Sequence, residues 1–516
     1  MSFELLSTTP RSATFEVRNG TAFESAEPHR VLLDGRAAFA GLRNVFTLSA
    51  LEPGRSYAAA WCDSGQSRTL RFRTPAELAR LDPCDFGAAA DGRTDDTAAI
   101  QAAIDACPAG GTVVFASGTW LSGPLFLKSG VDLWLQHDAR IVGHGDIERW
   151  PVLPAVLARP DGARMNAGSW EGEPADCHAG LITGLGVSRV RIHGAGTIDG
   201  NASFSTWWSR PKGRFGGWRP RLIYLVECSD VDVQGVRLCN APSWTLHALR
   251  SRNLRFVDLA IDAPADSPNT DGIDPESCEN VMIAGARIST GDDCVAIKSG
   301  KCGPEAAPPP PTRHVAVSNC HMARGHGAVV LGSELSGGIY DVETRDCRFD
   351  STDRVLRIKT RRGRGAAAIV DGVRLRNVVM RGVGTAFVLN SFYRCDPHEI
   401  DRDARRFHVD DRGPRPADAG TPTIRNLEVL DVDCRDARHS AGLVLGLPER
   451  PVENLRLCRY RVGFAASVEP GCPDMADSIG PVARQGLVLC NVRGVALEEI
   501  TLEGVVGPTV VRENVE

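Results

Sequence analysis

Short triplets in which two apolar residues flank a third residue recur along most of this chain. Early examples are Val131/Leu133 and Val190/Ile192, and from Val231 onward successive triplets are separated by 23 to 54 residues. Alternate side chains of a strand face the same side, so each triplet predicts a short strand with one buried face. No long amphipathic helix lies between the triplets, which argues against βαβ units. Strands that repeat at this period predict an all-β solenoid with one continuous core, and a parallel β-helix fits best.

The start of the chain follows a different pattern. Tyr57 comes just after a turn at Glu52-Pro53-Gly54, which is similar to the tyrosine corner of sandwich domains. We therefore predict a small fibronectin type III-like β-sandwich over residues 1–76 and a parallel β-helix over residues 77–516. An irregular β extension of the main domain is the alternative. The alternating segments that predict sandwich strands are 14–17, 45–48 and 69–73.

Composition places the chain in a broad class. It has 516 residues, of which 42% are hydrophobic and 24% are charged, as in soluble globular proteins with a large core. The formal net charge is −5, so bulk electrostatics do not favour nucleic acid or another polyanion. An anionic substrate would have to be bound by a local basic cluster.

Location and cofactors are predicted from patterns that the sequence lacks. No apolar run approaches the roughly 20 residues that span a bilayer. The segment from Met1 to Leu6 has no basic and apolar regions of a secretory signal, so we expect a cytoplasmic protein, or a secreted or periplasmic one if a signal has been removed. The 16 cysteines form no CxxC pair. We expect them to be reduced, and we expect no metal or other cofactor.

Two acidic segments lie one behind the other among the repeats, with Asp271 in the first and Asp292 and Asp293 in the second. Asp271 and Asp292 are 21 residues apart, close to one coil of the predicted solenoid. Stacked strands lie about 4.8 Å apart, so the three carboxylates should meet. Gly291 permits a bend that presents both neighbouring aspartates on one surface. Gathered carboxylates repel one another and some of their pKa values rise, which yields a proton donor near neutral pH. This predicts hydrolysis of a glycosidic bond.

Basic side chains follow at similar intervals. Arg324 and His326 belong to the next predicted coil, and Arg357 and Lys359 belong to the coil after it. Arg357 and Lys359 are two positions apart and should share one face of a strand. Acids at one end of such a row and cations at the other suit a sugar chain that carries carboxylates, which arginine can bind through two hydrogen bonds.

These segments resemble those of glycoside hydrolase family 28, the polygalacturonases. Four signatures of that family occur in order within 91 residues, and the likeness extends over about 80–460. Each tripeptide alone is weak evidence, but four at coil-like spacing are strong. Tyr393 is the candidate for a further family position about thirty residues beyond the last signature. The four signatures are Asn269-Thr270-Asp271, Gly291-Asp292-Asp293, Gly325-His326-Gly327 and Arg357-Ile358-Lys359.

The resemblance implies a right-handed parallel β-helix and hydrolysis of α-1,4-galacturonosidic bonds with inversion. By that resemblance, Asp292 is the general acid, and Asp271 and Asp293 activate the attacking water. His326 would hydrogen-bond the acid. The residues expected to bind substrate are Asn269, Arg324, Arg357, Lys359 and Tyr393.

An attack from the non-reducing end is favoured over cleavage in the middle of the polymer. The segment 327–339 looks like that of bacterial exo-polygalacturonases, and so does the fibronectin-like module. The long segments 144–180 and 394–421 could close one end of the groove.

Several other functions remain as alternatives. Within the family they are an endo-polygalacturonase and a rhamnogalacturonan-type hydrolase. A pectate lyase shares the fold but requires a calcium site. A non-catalytic, carbohydrate-binding β-solenoid is the alternative outside enzymes, and the complete set of acids argues against it.

Overall fold

The computed structural model describes residues 1–63, 65–159, 162–303, 305–394, 412–476 and 479–516. The chain is almost entirely β-structure, with a small N-terminal sandwich followed by a long right-handed parallel β-helix. The predicted fold class is therefore confirmed. The last sandwich strand ends at Arg73, and the first β-helix strand begins at Arg80.

The sandwich consists of two antiparallel sheets of three and four strands. Phe15, Trp61 and Phe72 are buried between them. The Tyr57 hydroxyl accepts a hydrogen bond from the Glu52 N–H (2.7 Å), so the tyrosine corner is present. The strands are Ser2–Thr8, Ala13–Arg18 and Val45–Leu48 in one sheet, and Glu24–Leu33, Arg36–Arg43, Ser56–Cys62 and Ser67–Arg73 in the other.

Buried polar contacts fix the sandwich to the side of the β-helix. The Glu16 carboxylate is fully buried and accepts hydrogen bonds from Ser318 (3.1 Å), Asn319 (2.8 Å) and Arg345 (3.1 Å). Breaking such a pair by removing one partner leaves an uncompensated buried charge. This contact therefore joins the two units, and loss of either partner should weaken the junction.

The β-helix has three parallel sheets, numbered here in the order in which each coil passes through them. The first contains Arg80–Leu81, Thr112–Phe115, Asp132–Leu135, Ser188–Gly194, Ser229–Gln234, Arg252–Val257, Glu279–Ala284, Thr312–Ser318 and Ile339–Arg345. The second contains Asp91–Asp95, Gly118–Ser122, Ala139–Gly143, Thr197–Asp199, Arg237–Cys239, Ala260–Asp262, Arg287–Ser289, His321–Ala323 and Arg348–Asp350. The third contains Leu125–Phe126, Ile182–Leu185, Ile223–Val226, Leu246–Leu249, Ile273–Glu276, Val295–Ile297, Val329–Gly332, Arg354–Lys359, Thr385–Asn390, Ser440–Leu445 and Val510–Val515. Longer strands in the last coils run through more than one sheet: Ile369–Arg381, Thr423–Ala437, Val452–Phe464 and Gln485–Glu503.

The apolar triplets of the sequence are strands of the first sheet. Their inward side chains stack in register, so that Leu133, Ile192, Val233 and Phe256 are neighbours in successive coils. All four are fully buried. A shift of one residue in any coil would turn its apolar side chains outward, which is why the register is fixed.

The helix Thr97–Ala106 covers the N-terminal end of this core with Ile100, Ala103 and Ile104. None of the cysteines in the described ranges forms a disulfide. Among the residues the structure describes, no helix is long and apolar enough to cross a bilayer. Short 3₁₀ turns occur at Pro83–Phe86, Ile147–Arg149 and Trp207–Ser209.

Segments inserted between coils cover both ends of the outer face of the third sheet. Met165 and its neighbours pack over Tyr224 at the N-terminal end. Ala476 and Ile479 pack over Val388 at the C-terminal end. The middle of this face is left for polar side chains. The N-terminal cover contains three short antiparallel strand pairs: Val152–Leu153 with Cys177–His178, and two hairpins that pair Leu157–Ala158 with Arg164–Met165 and Ser169–Trp170 with Glu173–Pro174.

Candidate active site

The three predicted acids lie at turns that lead from the second sheet into the third. Asp271 comes just before one strand of the third sheet, and Asp292 and Asp293 come just before the next. The Gly272 N–H donates to the Asp293 carbonyl oxygen (3.0 Å) and joins the two turns. One carboxylate oxygen of each aspartate lies within 4.8 Å of the others. The structure thus brings all three side chains into one patch.

Two glycines allow these turns to approach each other. A Cβ atom at Gly291 would lie 2.3 Å from the Ser267 carbonyl oxygen. Gly325 has a φ of +93°, and a Cβ atom there would lie 2.7 Å from the Asp292 carbonyl oxygen. A larger residue at either position would separate the coils, and the carboxylates with them.

Burial and neighbouring charges give the three carboxyl groups different properties. Asp271 and Asp293 are buried, whereas the side chain of Asp292 is 23% exposed. Burial and the charge of Asp292 raise the pKa of Asp271 well above its ordinary value. Burial would also raise the pKa of Asp293, but Lys359 and Arg357 outweigh it and lower that pKa to about 2. The site therefore contains one carboxyl group that is held as a carboxylate, Asp293, beside one that takes up a proton more readily than usual, Asp271.

The same three oxygens are also close enough to coordinate a cation. Lys359 already supplies positive charge to this set, since its ammonium lies 2.8 Å from an Asp293 oxygen. The negative charge of the three carboxyl groups is therefore offset in part by a cation of the protein itself, and the arrangement suits an acid–base site.

His326 lies beside the exposed edge of the acid cluster. Its backbone N–H donates to the Asp292 carbonyl oxygen (3.1 Å), and its Nδ1 lies 3.4 Å from Asp292 Oδ1. The interaction with Asp292 raises the pKa of His326. The side chain is 55% exposed, so it can donate to Asp292 while it faces the pocket.

Arg357 and Lys359 project outward from one strand, as their spacing predicts. Arg357 Nη1 lies 3.9 Å from Asp293 Oδ1, which makes Asp293 a common partner of both cations. The ring of Tyr393 lies 5.3 Å from the Arg357 guanidinium and 5.2 Å from the Lys359 ammonium. Arg357 Nε also donates to Asp474 (2.9 Å), which fixes the guanidinium plane.

A cavity of about 240 Å³ gathers these groups. Its lining includes all the predicted site residues except Arg324. The other lining residues are Glu171, Lys212, Trp244, Lys298, Lys301, Ser333, Glu334 and Met475.

Inserted segments form walls around the cavity. The hairpin at 169–174 lies against the third sheet, where the Lys301 N–H donates to the Gly172 carbonyl oxygen (2.8 Å). Its Glu171 side chain reaches the cavity and accepts from Lys212 (2.7 Å). The predicted covering role of segment 144–180 therefore corresponds to a wall at this end. Most of segment 394–421, which was predicted to act with it, lies outside the described residues.

Arg324 differs from its predicted place. Its guanidinium donates to Ser289 Oγ through Nε (2.9 Å) and Nη2 (2.6 Å), on the second sheet and away from the cavity. The reason is local, because Arg324 has a φ of +67° and starts a tight turn with Gly325. The residue therefore shapes the approach to His326 without lining the pocket.

Sequence reasoning missed the charged residues that surround the predicted acids and cations, four of which contact them or lie beneath them. Asp274, Lys298 and Glu334 lie beneath the acid cluster on the outer face of the third sheet, and Asp474 reaches it from the segment after residue 464. The available signals for the first two were Asp274 inside the buried strand 273–276 and Lys298 directly after the apolar strand 295–297. Asp474 belongs to no repeat, and its contact with Arg357 spans 117 residues.

Known proteins resemble this chain in sequence and in structure. Residues 164–403 match the family model described as glycosyl hydrolases family 28, and residues 84–134 match one described as rhamnogalacturonase A/epimerase, pectate lyase-like. A probable polygalacturonase of Vitis vinifera is 32% identical over 395 residues, 75% of this chain and 74% of that protein. An endo-polygalacturonase of Pectobacterium parmentieri is 32% identical over 376 residues, 68% of this chain and 83% of that protein.

Among solved structures, the family 28 exopolygalacturonase of Yersinia enterocolitica superposes with a TM-score of 0.72 at 19% identity. The superposition covers 100% of this chain and 98% of that chain. The likeness thus includes the sandwich as well as the β-helix, and it supports the fold of the whole chain.

Proposed function

The chain belongs to glycosyl hydrolase family 28, and from that premise we propose that it hydrolyses the α-1,4-galacturonosidic bonds of polygalacturonate and its oligosaccharides. The observation that carries the proposal is one cavity in which the carboxyl groups of Asp271, Asp292 and Asp293 lie beside the buried cations Arg357 and Lys359. The carboxyl groups supply an acid and a base, and the cations suit the carboxylate that distinguishes a uronate from a neutral sugar.

Bond cleavage is assigned to the three aspartates. Asp292 gives its proton to the leaving glycosidic oxygen as the bond from that oxygen to the anomeric carbon breaks. Water adds to the anomeric carbon, and the one proton that it releases passes to Asp271 or Asp293, which together activate it. His326 hydrogen-bonds Asp292 and stabilises the carboxylate that remains. The position of Asp292 supports its role, because it is the most exposed of the three and the nearest to the imidazole.

Substrate binding is assigned to the cationic side of the cavity. Lys359 and Arg357 bind the uronate carboxylate, and the ring of Tyr393 lies beside both of them. Asn269 accepts from Arg219 (2.6 Å) and keeps its amide N–H groups for sugar hydroxyls at the other side.

We further propose that the enzyme removes sugars from the non-reducing end. The hairpin at 169–174 supports this, because its Glu171 lines the cavity and its Gly172 is hydrogen-bonded to Lys301, so that the hairpin forms a wall at one end. Polygalacturonate should then release galacturonate or its dimer from the first minutes, while solution viscosity falls slowly. Chromatography of early products tests this, and an early ladder of long oligomers would contradict it.

Inversion at the anomeric carbon is the proposed stereochemistry. The family resemblance supports it, although carboxylate oxygens within 4.8 Å are closer than the roughly 6.5–9.5 Å that separates carboxyl groups in most inverting enzymes. Proton NMR of trigalacturonate during cleavage should show the β-anomer of the new reducing end first. First appearance of the α-anomer would establish retention.

Adding EDTA to the incubation with trigalacturonate separates a hydrolase from the alternative functions. A hydrolase that uses only these side chains should keep its rate, whereas a calcium-dependent lyase would lose it and would form unsaturated products. Rhamnogalacturonan, given in parallel, should remain uncut. A solenoid that only binds carbohydrate would cleave neither polymer.

A further inference from the structure

A second charged cluster lies directly beneath the three aspartates, centred on Lys298. Its Nζ lies 3.8 Å from Asp271, 3.6 Å from Asp274 and 3.4 Å from Glu334. The Lys298 side chain is 4% exposed, and its ammonium stands 4.4 Å from the centre of the Trp244 ring. One buried ammonium is therefore shared by three carboxyl groups, only one of which belongs to the proposed acid–base set.

Asp274 is the unusual member of this cluster. It is fully buried, and within the described residues no hydrogen-bond donor reaches either of its carboxylate oxygens. One oxygen of Asp271 also lacks a donor. A buried carboxylate without hydrogen bonds is costly unless a nearby cation or a proton neutralises it. The 3.6 Å contact with Lys298 supplies that charge, so Asp271 and Asp274 compete for one ammonium.

We propose that Lys298 is a positioning residue for Asp271, and that the balance of charge among Lys298, Asp274 and Glu334 decides whether Asp271 is ready to accept a proton. This inference rests on the proposed hydrolytic function, because it gives Asp271 the role of a base. Nothing in the reaction requires Lys298 to touch the substrate. Its effect is carried through the oxygen of Asp271 that faces it.

The neighbours of the cluster agree with this reading. Burial would lower the pKa of Lys298, but Glu334 and the aspartates outweigh burial and raise it, so the ammonium stays charged. Burial raises the pKa of Asp274 well above its ordinary value, as it does for Asp271. Removal of Lys298 should raise the pKa values of Asp271 and Asp274 further. Removal of the Asp274 charge should lower the pKa of Asp271. The other charged or titratable groups that face the cluster are Arg219, Arg221, His247, Asp292, Asp293, Lys301, Arg357 and Lys359.

The experiment compares Lys298→Met, Asp274→Asn and the double variant by kcat/KM from pH 3 to 8. Lys298→Met should move the acid limb of the profile up by at least one pH unit, which is about a tenfold loss on that limb. Asp274→Asn should move the limb down. The double variant should recover part of what Lys298→Met loses, because it removes one positive and one negative charge together.

A matched control separates this effect from simple loss of a buried cation. Arg345→Met also removes a buried cation from its carboxylate partner, Glu16, but at the sandwich contact. It should lower the temperature of unfolding and leave the pH profile in place. Equal losses at every pH in Lys298→Met, or a double variant no better than Lys298→Met, would overturn the proposal.

Stability gives a second readout that does not depend on the reaction. In Lys298→Met, Asp271 and Asp274 are protonated more readily, so the loss of thermal stability should be largest near neutral pH and should shrink toward pH 4. If the wild-type protein cleaved no galacturonan but this trend were present, only the proposed function would fail. A stability loss that did not depend on pH would refute the charge network itself. If Lys298→Met did not fold, the downward shift of the acid limb of kcat/KM in Asp274→Asn would still test the proposal.

Discussion

Replacing Asp292 with asparagine should lower kcat on polygalacturonate by about 10²- to 10⁴-fold, the range expected for loss of a general acid. Asparagine keeps the size of the side chain and its contact with His326, but it has no proton to give to the leaving oxygen. Because Asp292 is only partly buried, the variant should fold with nearly unchanged stability. Initial rates with purified protein, and a melting curve to show that it is folded, provide the measurement.

A substrate with a better leaving group distinguishes the acid from the base. Nitrophenolate leaves without protonation, so Asp292→Asn should lose at most about tenfold on a nitrophenyl galacturonide. Asp271→Asn should remain slow on both substrates, since water must still be activated. If Asp271→Asn recovered on the nitrophenyl substrate and Asp292→Asn stayed slow on both substrates, Asp271 would be the acid and Asp292 would be the base. Asp266→Asn changes an exposed carboxylate in the same turn region and should behave as the wild type.

The imidazole of His326 reports independently on the same contact. Interaction with Asp292 raises the pKa of His326, and the asparagine variant removes that negative charge. An NMR titration of the ring should therefore show a pKa near the ordinary value in Asp292→Asn and a higher one in the wild type. Equal values in both proteins would place His326 outside the acid cluster.

The fold was predictable because the sequence repeats its burial pattern. Triplets such as Val231/Val233 identify the first sheet, since only stacked coils can bury so many short strands without helices between them. The meeting of Asp271 with Asp292 followed from the same argument, because their separation equals about one coil. The position of Tyr57 just after a turn predicted the sandwich, and its hydrogen bond with Glu52 is present in the structure. In each case a short sequence pattern predicts which residues become neighbours in the folded chain.

Other parts of the site follow from no interval in the sequence. Asp474 comes from a segment outside the repeats, and its contact with Arg357 depends on how that segment folds over the third sheet. The hairpin at 169–174 reaches the cavity for the same reason. Arg324 shows the opposite error: it lies next to a correctly placed turn, but its positive φ directs the side chain to Ser289. Backbone conformation inside a turn is decided by packing that a single sequence does not display.

Lys359→Met is the second substitution with a large expected effect. Lys359 holds Asp293 through a 2.8 Å contact in which both side chains are almost fully buried. Methionine keeps the volume but leaves Asp293 with only Arg357, 3.9 Å away and already bonded to Asp474. We expect the free energy of unfolding to fall by about 3–5 kcal/mol at neutral pH. We also expect kcat/KM to fall by about 10²- to 10³-fold, because the uronate carboxylate loses its ammonium partner.

The stability difference between Lys359→Met and the wild type should depend on pH in a definite direction. In the wild type the pKa of Asp293 is lowered to about 2, so its ion pair stabilises the fold above the ordinary pKa near 4, and that contribution is lost as pH falls toward 2. In Lys359→Met, burial raises the pKa of Asp293, and protonation relieves the unpaired charge. The stability difference between the two proteins should therefore be largest at neutral pH and become small below about pH 4. Denaturant unfolding at a series of pH values measures it.

A double variant separates folding from binding. Adding Asp293→Asn to Lys359→Met removes the uncompensated charge, so most of the lost stability should return. Activity should not return, because both a proposed base and a proposed substrate-binding group are then absent. If Lys359→Met alone were as stable as the wild type at neutral pH, Asp293 would not be held as a carboxylate by this lysine. The carboxylate form of Asp293, which the proposed mechanism uses to activate water, would then have to be stabilised by other groups.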